Sequence, residues 1–281
     1  KAKKKYGQNF LVDKGVIDKI IKSINPKNLE KILEIGPGLG ALTSQILNKI
    51  DHIDVVEIDP DMIKVLEEKI PSSKITIFPS NILEMNNDII GRYDKVIGNL
   101  PYYISSEILL KMIKTINNQK ELHFMLQKEV AERVASSTHS KSYGRLSVML
   151  QYFFDIELLF DIQPESFSPP PKVTSSLVRL IPKINYANKV KDIDSFEELL
   201  KLSFSQKRKT IKNNLKPILN DNDLNIIDIN PQDRAEMLSL ADFVRIENYI
   251  FDKKILDWSC YNLTLLDKMI MKIILLGAPG A

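Results

Sequence analysis

Glu34–Gly40, with the sequence EIGPGLG, is the stretch that decides the fold of this 281-residue chain. It follows a short apolar run and precedes residues with helical spacing, the order of a strand, a loop and a helix. Glycines at alternate positions allow the backbone to turn tightly and to approach a ligand closely. The next apolar run ends in Glu57, where a carboxylate can accept both hydrogen bonds of a ribose diol. A purely structural turn is the alternative for the loop taken alone.

The loop, the strand before it, the helix after it and the spaced acid together predict a nucleoside ligand. The G-x-G-x-G spacing and Glu34 favour S-adenosyl-L-methionine over NAD, so S-adenosyl-L-methionine is the predicted cofactor. A third strand ends before Asn81, whose amide can hydrogen-bond the adenine edge; a turn-forming asparagine is the alternative. The residues predicted here to bind the cofactor are Gly36, Gly38, Glu57, Ile58, Asn81 and Ile82.

Short apolar runs alternate with helical periods from about residue 31 to residue 126. The predicted strands are Lys31–Ile35, Ile53–Glu57, Lys74–Phe78, Tyr93–Ile97 and Glu121–Leu126. The predicted helices are Leu42–Ile50, Asp61–Ile70 and Ser105–Ile116, with N-caps near Asp61 and at Ser105. This alternation predicts an α/β fold with a Rossmann-like parallel sheet covered on both faces by helices.

The pattern changes after Asp155. Val173–Ile181 is rich in β-branched residues and is predicted to close the sheet as an antiparallel strand. Pro182–Asp194 is predicted to be a linker, and the region from Ser195 to about Asp252 is predicted to be all helical. The sequence therefore predicts a sheet domain over residues 1–185, a small all-helical domain over residues 186–265 and a tail over residues 266–281.

Composition and charge limit the function classes. The chain is 44% hydrophobic and 27% charged, which is typical of a globular protein, and it contains no apolar run long enough to span a membrane. One cysteine, Cys260, and three scattered histidines predict no internal disulfide and no metal site. We expect a cytoplasmic protein that does not bind a membrane.

A basic run lies in the predicted helical domain. Residues 201–216 contain six basic residues and no acidic one, namely Lys201, Lys207, Arg208, Lys209, Lys212 and Lys216. A phosphate-binding surface for a nucleic acid is one interpretation. A solvated helix face is the other.

Asn99-Leu100-Pro101-Tyr102 follows the fourth predicted strand, at the end of a sheet where ligands bind. This polar-proline-aromatic turn indicates a device that holds the exocyclic amine of a planar base against a methyl donor. Together with the loop described above, it resembles the small-subunit ribosomal RNA adenine dimethyltransferase family over about residues 5–240. Further matching segments are GQNFL at 7–11, QKEVAER at 127–133, YGRLS at 143–147, FSPPPKV at 167–173, QKRKT at 206–210, NNL at 213–215 and RAE at 234–236.

The resemblance implies dimethylation of N6 on two adjacent adenines in the 3′-terminal hairpin of small-subunit rRNA, during subunit biogenesis. It implies that Asn9, Leu11 and Asn99 contact the cofactor. Lys207, Arg208, Lys209 and Lys212 are then the predicted RNA-binding residues, the precursor of the small subunit is the expected partner, and a monomer is expected. The chain departs from the family at Asn81, where aspartate is usual, and at Tyr103, where asparagine is common.

The predicted chemistry uses five catalytic residues. The side-chain oxygen of Asn99 and the backbone carbonyl of Leu100, freed by Pro101, are predicted to accept the two hydrogen bonds of the adenine amine. Tyr102 is predicted to stack on one face of the base and Phe167 on the other. A helix cap is the alternative for Asn99, and core packing is the alternative for Tyr102 and Phe167.

Two other functions are weighed against this one. The first is large-subunit rRNA adenine methylation of the macrolide-resistance type, which shares the QNFL segment and a similar turn at Asn99. The second is an assembly factor that has kept the fold without catalysis. The last residues, MKIILLGAPGA at 271–281, resemble the start of an adenylate kinase but stop before the residues that would contact phosphates, so we assign them no function.

Overall fold

The computed structural model describes residues 8–183 and 189–253. The chain divides into two compact units, Lys1–Asn185 and Tyr186–Ala281. The predicted tail at 266–281, the adenylate kinase-like residues within it and Cys260 lie outside the described residues. The first unit carries the sheet, and the described part of the second contains helices and turns without a strand.

The described part of the first unit contains nine strands. They are β1 (Phe10–Leu11), β2 (Ile32–Ile35), β3 (Ile53–Val56), β4 (Ile75–Phe78), β5 (Lys95–Asn99), β6 (Glu121–Gln127), β7 (Phe154–Ile162), β8 (Phe167–Ser168) and β9 (Ser175–Pro182). Its helices are α1 (Lys14–Ile24), α2 (Ala41–Ile46), α3 (Pro60–Lys69), α4 (Asn87–Ile90), α5 (Ser105–Ile113), α6 (Lys128–Val134) and α7 (Arg145–Phe153).

Seven of these strands form one sheet in the order β4-β3-β2-β5-β6-β9-β7. Strands β2 to β6 are mutually parallel, whereas β9 runs antiparallel to both β6 and β7. The strand order reverses between β2 and β5, and such a switch point leaves a crevice beyond the carboxyl ends of the strands. The predicted Rossmann-like sheet and its antiparallel closing strand are both confirmed.

Burial explains why these residues form the centre of the sheet. All four residues of β2 are buried, as are the first four of β5, because helices cover both faces. Helix α1 packs its stripe of Ile17, Ile20, Ile21 and Ile24 into the same core. Burying one such side chain contributes about 1.5–3 kcal/mol.

Two local predictions, the start of β5 and the cap of α5, need correction. Strand β5 begins two residues later than predicted, because Tyr93 N–H still bonds Ile90 O in the turn after α4. The N-cap predicted near Asp61 is Asp59, whose side chain accepts the backbone N–H of Asp61 at 3.1 Å. Ser105 is the first residue of α5 and not its N-cap.

A second sheet of two short strands joins distant parts of the first unit. Strand β1 pairs antiparallel with β8, so that Phe10 lies opposite Ser168 and Leu11 opposite Phe167. The backbone N–H of Val12 continues this contact by donating to Ser166 O at 2.9 Å. The N-terminal segment is thereby fixed beside the carboxyl end of the main sheet.

The second unit contains α8 (Ile193–Ser203), α9 (Ile211–Leu215), α10 (Asp221–Ile226) and α11 (240–253). Its core includes Phe196 and Phe243, both fully buried. The described residues of this region form helices and turns only, as the all-helical prediction requires, and the chain turns at 204–210 between α8 and α9. Asn214 Nδ2 donates to Ser203 O at 2.6 Å and to Gln206 O at 3.3 Å, which holds this turn after α8.

Candidate active site

A cavity of about 200 Å³ opens at the carboxyl ends of β2, β3 and β5, at the switch point of the sheet. It is lined by the glycine loop, by the ends of the neighbouring strands, by the N-terminal segment and by the turn after β5. The predicted site residues that line it are Asn9, Leu11, Gly36, Gly38, Glu57, Ile58, Asn81, Ile82, Asn99, Leu100, Pro101 and Tyr102. One cavity therefore brings together the predicted cofactor residues and four of the five predicted catalytic residues.

The glycine loop leaves room for a ligand. Gly36 and Gly38 have φ values of +64° and +56°, which side-chain-bearing residues rarely adopt. A Cβ added at Gly36 would meet no atom within 4 Å, so it would project into the cavity. A Cβ added at Gly38 would lie 3.0 Å from the ring of Phe10. The loop thus forms a cradle that a side chain at Gly36 would fill, as a closely approached cofactor requires.

Glu57 is held in place by backbone amides at the bottom of this cradle. Its Oε1 accepts the N–H groups of Ile58 and Asp59, both at 2.9 Å, and its Oε2 accepts the N–H of Gly38 at 3.2 Å. Burial raises the pKa of this carboxyl, and the three backbone donors oppose that rise. Each carboxylate oxygen can accept further hydrogen bonds, so the fixed group suits a ribose diol.

An apolar slot with one amide adjoins Glu57. Ile58 is 47% exposed although it is a large apolar residue, and Ile82 is buried on the same cavity. Asn81 Oδ1 accepts the backbone N–H of Leu83 at 3.0 Å, so the turn-forming role considered as the alternative is present. Asn81 also lines the cavity, which leaves its binding to adenine as a prediction.

Glu34 lies under the glycine loop and is fully buried. Burial raises the pKa of its carboxyl to about 7, and the nearby charge of Glu57 adds to the rise, whereas a hydrogen bond from Thr43 opposes it. The hydroxyl of Thr43 donates to Glu34 Oε2 at 2.6 Å. A protonated Glu34 reduces the repulsion that Glu57 would otherwise experience.

The N-terminal segment forms one wall of the cavity. Gln8 Nε2 donates to Asp59 Oδ2 at 2.8 Å, and Phe10 lies against the glycine loop. The carbonyl oxygen of Asn9 accepts a hydrogen bond from Asn99 Nδ2 at 2.8 Å. Leu11 lines the cavity from the buried core. Sequence analysis quoted this segment only as part of a resemblance, because its role depends on pairing with residues far along the chain.

The bond to Asn9 orients the Asn99 amide. Since Nδ2 points to the carbonyl of Asn9, the acceptor Oδ1 is the end of the amide that remains for a ligand in the cavity. Pro101 has no N–H, and the carbonyl of Leu100 immediately precedes it. The helix cap considered for Asn99 is excluded, because α5 begins six residues later and its N-cap is Ile104.

Two tyrosines follow in a single 3-10 turn, Tyr102–Ile104. Tyr102 is half-buried, and its hydroxyl lies 2.6 Å from Ser175 Oγ. Burial raises the pKa of this phenol. Tyr103 is 62% exposed at the edge of the same cavity. Sequence analysis noted Tyr103 only as a departure from the family.

Phe167 requires a correction. Its side chain is 3% exposed, belongs to the hydrophobic core with Leu11 and does not line the cavity. The core packing considered as the alternative is therefore its role in this structure. The physical reason is the β1–β8 pairing, which places Phe167 opposite Leu11 under the N-terminal segment.

The predicted RNA-binding residues separate into two groups. Lys207, Arg208 and Lys209 are exposed in the turn between α8 and α9, and within the described ranges their side chains form no ion pair. Lys212 differs, because its Nζ lies 3.1 Å from Asp221 Oδ2. The helix face considered as the alternative does not apply to the first three, which lie on a turn, and Lys212 already has a carboxylate partner.

Among residues 8–183 and 189–253, no three His, Cys, Asp or Glu side chains converge as a metal site would require. Within those ranges, no helix combines the length and apolarity needed to cross a membrane.

The parallel sheet with its switch point, the glycine cradle and the fixed acid define an S-adenosylmethionine-dependent methyltransferase fold. The sequence profile of the ribosomal RNA adenine dimethylase family matches residues 1–252. The chain belongs to this family, and the resemblance predicted from the sequence is confirmed. It is therefore an rRNA adenine dimethyltransferase that uses S-adenosyl-L-methionine, and its substrate is an rRNA.

Individual relatives and solved structures support the same family assignment. Ribosomal RNA small subunit methyltransferase A of Neisseria gonorrhoeae is 44% identical over 255 residues, which cover 91% of this chain and 98% of the relative. The protein of the same name from Coxiella burnetii is 41% identical, covering 88% and 97%. Among solved structures, a dimethyladenosine transferase from Plasmodium falciparum is similar with a TM-score of 0.73 and 27% identity, covering 84% of this chain and 95% of that one. The 23S rRNA methyltransferase ErmE has a TM-score of 0.65 at 22% identity, covering 86% and 99%, and supports the fold alone.

Proposed function

We propose that this protein dimethylates N6 of two adjacent adenines in the 3′-terminal hairpin of small-subunit rRNA. The observation that carries the chemistry is the oriented amide of Asn99, whose donor end is used by Asn9 and whose acceptor end is available to a base. The choice of the small subunit rests on relatives named ribosomal RNA small subunit methyltransferase A, which match almost over their full length.

The cofactor residues proposed from the sequence fit the cavity. Gly36 and Gly38 would let the backbone approach the ligand, Glu57 would accept the ribose hydroxyls, and Ile58 and Ile82 would pack on the adenine ring. When bound there, S-adenosyl-L-methionine supplies an electrophilic methyl group on a sulfonium.

Asn99 and Leu100 would then prepare the nucleophile. The amine of adenine is a weak nucleophile because its lone pair is delocalised into the ring. Two acceptors, Asn99 Oδ1 and the carbonyl of Leu100, would bond its two hydrogens and favour a pyramidal nitrogen whose lone pair points at the methyl group. Holding the reacting groups in line can supply about 7–11 kcal/mol of the barrier. No strong general base is needed, because the methylated ammonium is acidic and loses its proton after transfer.

Tyr102 would hold the base by stacking on one face, which is worth on the order of 1–3 kcal/mol. Phe167 can contribute the second face only if entry of the base uncovers its ring from the core. Comparing Phe167→Leu with Tyr102→Leu tests this point. Equal weakening of base binding would restore the predicted double stack, whereas a loss of stability alone in Phe167→Leu identifies a core residue.

The partner proposed is the precursor of the small ribosomal subunit, bound by a monomer in the cytoplasm. The exposed cations Lys207, Arg208 and Lys209 support contact with RNA phosphates, since they have no carboxylate partner among the described residues. Lys212 would contribute only if Asp221 released it.

The decisive experiment follows methyl groups from labelled S-adenosylmethionine into 30S particles that lack the modification, with 50S particles, free rRNA and DNA as parallel substrates. We expect N6-dimethyladenosine in the small-subunit rRNA alone. Label confined to the large-subunit RNA would replace the proposal with the macrolide-resistance type of methylase. Absence of transfer to every substrate, with binding to 30S retained, would support the catalytically silent assembly factor.

A further inference from the structure

The hydroxyl of Tyr102 reaches across the end of the sheet. Tyr102 follows β5, whereas its partner Ser175 begins β9, and β6 lies between these two strands. The two oxygens are 2.6 Å apart, and Ser175 is fully buried. A side chain proposed to stack on the substrate base is therefore tied to an internal strand by a part-buried hydrogen bond.

Both ends of the tyrosine are fixed. Ser175 lies opposite Gln127 of β6 and opposite Ile162 of β7, so the strand that carries its hydroxyl is paired on both sides. At the other end of the tyrosine, the backbone carbonyl of Tyr102 accepts the hydroxyl of Ser105 at 3.1 Å. A ring held at its backbone and at its hydroxyl has a defined position over the cavity.

We propose that Ser175 is a positioning residue for the target base, acting by fixing the ring of Tyr102. This inference rests on the proposed function. The position of the Tyr102 ring sets the position of the base that stacks on it. It therefore also sets the position of the amine that receives the methyl group. Ser175 does not line the cavity and touches neither reacting group.

The positioning role of Ser175 can be measured because two methyl groups are transferred in succession to one amine. In each transfer, the methyl carbon leaves sulfur, forms a bond to N6, and the nitrogen loses one proton. The unmodified amine has two hydrogens for Asn99 Oδ1 and the Leu100 carbonyl, whereas the monomethylated amine has one. The intermediate is thus held by one hydrogen bond fewer, and the stack on Tyr102 accounts for a larger share of its positioning. Loosening the ring should slow the second transfer more than the first.

The same strand offers a matched control. Ser176 is the next residue, its side chain is also buried, and its hydroxyl donates to Asp161 Oδ1 at 2.7 Å. Ser176→Ala removes a hydroxyl and a hydrogen bond of similar length without touching Tyr102. A merely structural effect of losing a serine from β9 should be the same in both variants.

The experiment uses the full chain in excess over unmethylated 30S particles, with saturating S-adenosylmethionine, and records monomethyladenosine and dimethyladenosine against time. The ratio of the second rate constant to the first does not depend on the fraction of folded enzyme. We expect Ser175→Ala to lower this ratio about three- to tenfold, the effect of one hydrogen bond, with accumulation of monomethyladenosine. Tyr102→Phe should match it, the double variant should lose nothing further, and Ser175→Thr should restore the native ratio.

An unchanged ratio in Ser175→Ala, or an equal fall in Ser176→Ala, overturns the inference and leaves the proposed function intact. If the native chain itself yields no dimethyladenosine in 30S particles, the proposed function fails first. The two failures are therefore distinguished by the native control.

Discussion

Strand β5 carries a polar side chain at each end, and the two side chains differ in how many of their polar atoms have partners. At its first residue, the buried Lys95 donates to Ile24 O at 2.6 Å and to Asn25 O at 3.2 Å. The same Nζ lies 3.3 Å from Glu30 and 2.8 Å from Glu121. At its last residue, Asn99 bonds through one end of its amide only, as far as the described residues show.

The difference separates structure from function within one strand. A buried charge is tolerated when its donors are all used, and Lys95 caps the end of α1 while pairing with two carboxylates. Asn99 is half-satisfied and faces a cavity, so its remaining acceptor is available to a substrate. Within this strand, the fully paired Lys95 stabilises the fold, and the half-paired Asn99 faces the site.

The largest effect on stability should come from removing Lys95, at the first residue of β5. Lys95→Ala would remove a buried cation from the half-buried Glu30 and Glu121 and leave Glu121 with only the more distant Arg179, at 3.8 Å. We expect the unfolding free energy to fall by about 3–5 kcal/mol. Lys120→Ala is the control, because its exposed pair with Asp94 at 2.9 Å should contribute less than about 1 kcal/mol. Urea unfolding measures both, and comparable losses in the two variants would contradict this account.

Removing Asn99, at the last residue of β5, should lower activity without lowering stability. Asn99→Ala removes the acceptor and should lower methyl transfer about 10²–10³-fold, the scale of one oriented catalytic hydrogen bond, while RNA binding and stability persist. Asn86→Ala is the matched asparagine, since Asn86 caps α4 through Asp88 N–H and should cost about 1 kcal/mol of stability without slowing transfer. Native turnover in Asn99→Ala would remove the proposed mechanism.

The buried carboxyl of Glu34, beside the cavity, makes the free energy of unfolding depend on pH. Folded Glu34 keeps its proton up to about pH 7, whereas an ordinary glutamate releases it near 4.5. The folded state therefore binds more protons between these values, so the stability that protonated Glu34 contributes is full below pH 4.5 and lost as pH rises to 7. Relative to native protein, Glu34→Gln should gain about 3 kcal/mol across this interval.

Unfolding by urea at intervals between pH 4.5 and 7.5 measures that gain as a difference between the two proteins. The exposed Glu84→Gln variant controls for the loss of one carboxylate. A constant difference between native protein and Glu34→Gln would show that burial does not hold the proton.

The smallest effect should follow from the basic turn, where unpaired groups again indicate binding. Lys207→Ala/Arg208→Ala/Lys209→Ala should weaken RNA binding roughly tenfold at moderate salt and flatten its salt dependence by about 0.7–0.9 per lost phosphate contact. Lys201→Ala is the control, because Glu198 holds that lysine at 3.0 Å. Binding isotherms at several salt concentrations check both, and an unaltered slope in the triple variant would assign the turn to solvent.

Sequence analysis found what local patterns encode. The glycine loop, Glu57 and the Asn99 turn each lie directly after a short apolar run, and parallel strands bring such positions to one edge. The strands of the parallel sheet were predicted to within two residues for the same reason. Strand β7 was missed because it is an edge strand whose residues are mostly exposed or half-buried and do not alternate.

Contacts between distant residues could not be predicted. The burial of Phe167 depends on its pairing with Leu11, and the orientation of Asn99 depends on the carbonyl of Asn9. Lys95 was hidden in a predicted apolar run, since its partners lie on other elements. Ser175 belonged to a recognised segment, but nothing local shows that it meets Tyr102.

The pairing of β1 with β8 also sets an order of completion during synthesis. A ribosome releases Phe10 and Leu11 long before Phe167 and Ser168, and contacts between distant parts of a chain form only once both are present. A nascent chain therefore carries its glycine loop well before the segment that supplies Asn9 has a strand to pair with. Residues up to β8 must be synthesised before the N-terminal segment can complete the wall of the cavity. The enzyme therefore lacks a complete active site during most of the synthesis of its catalytic unit.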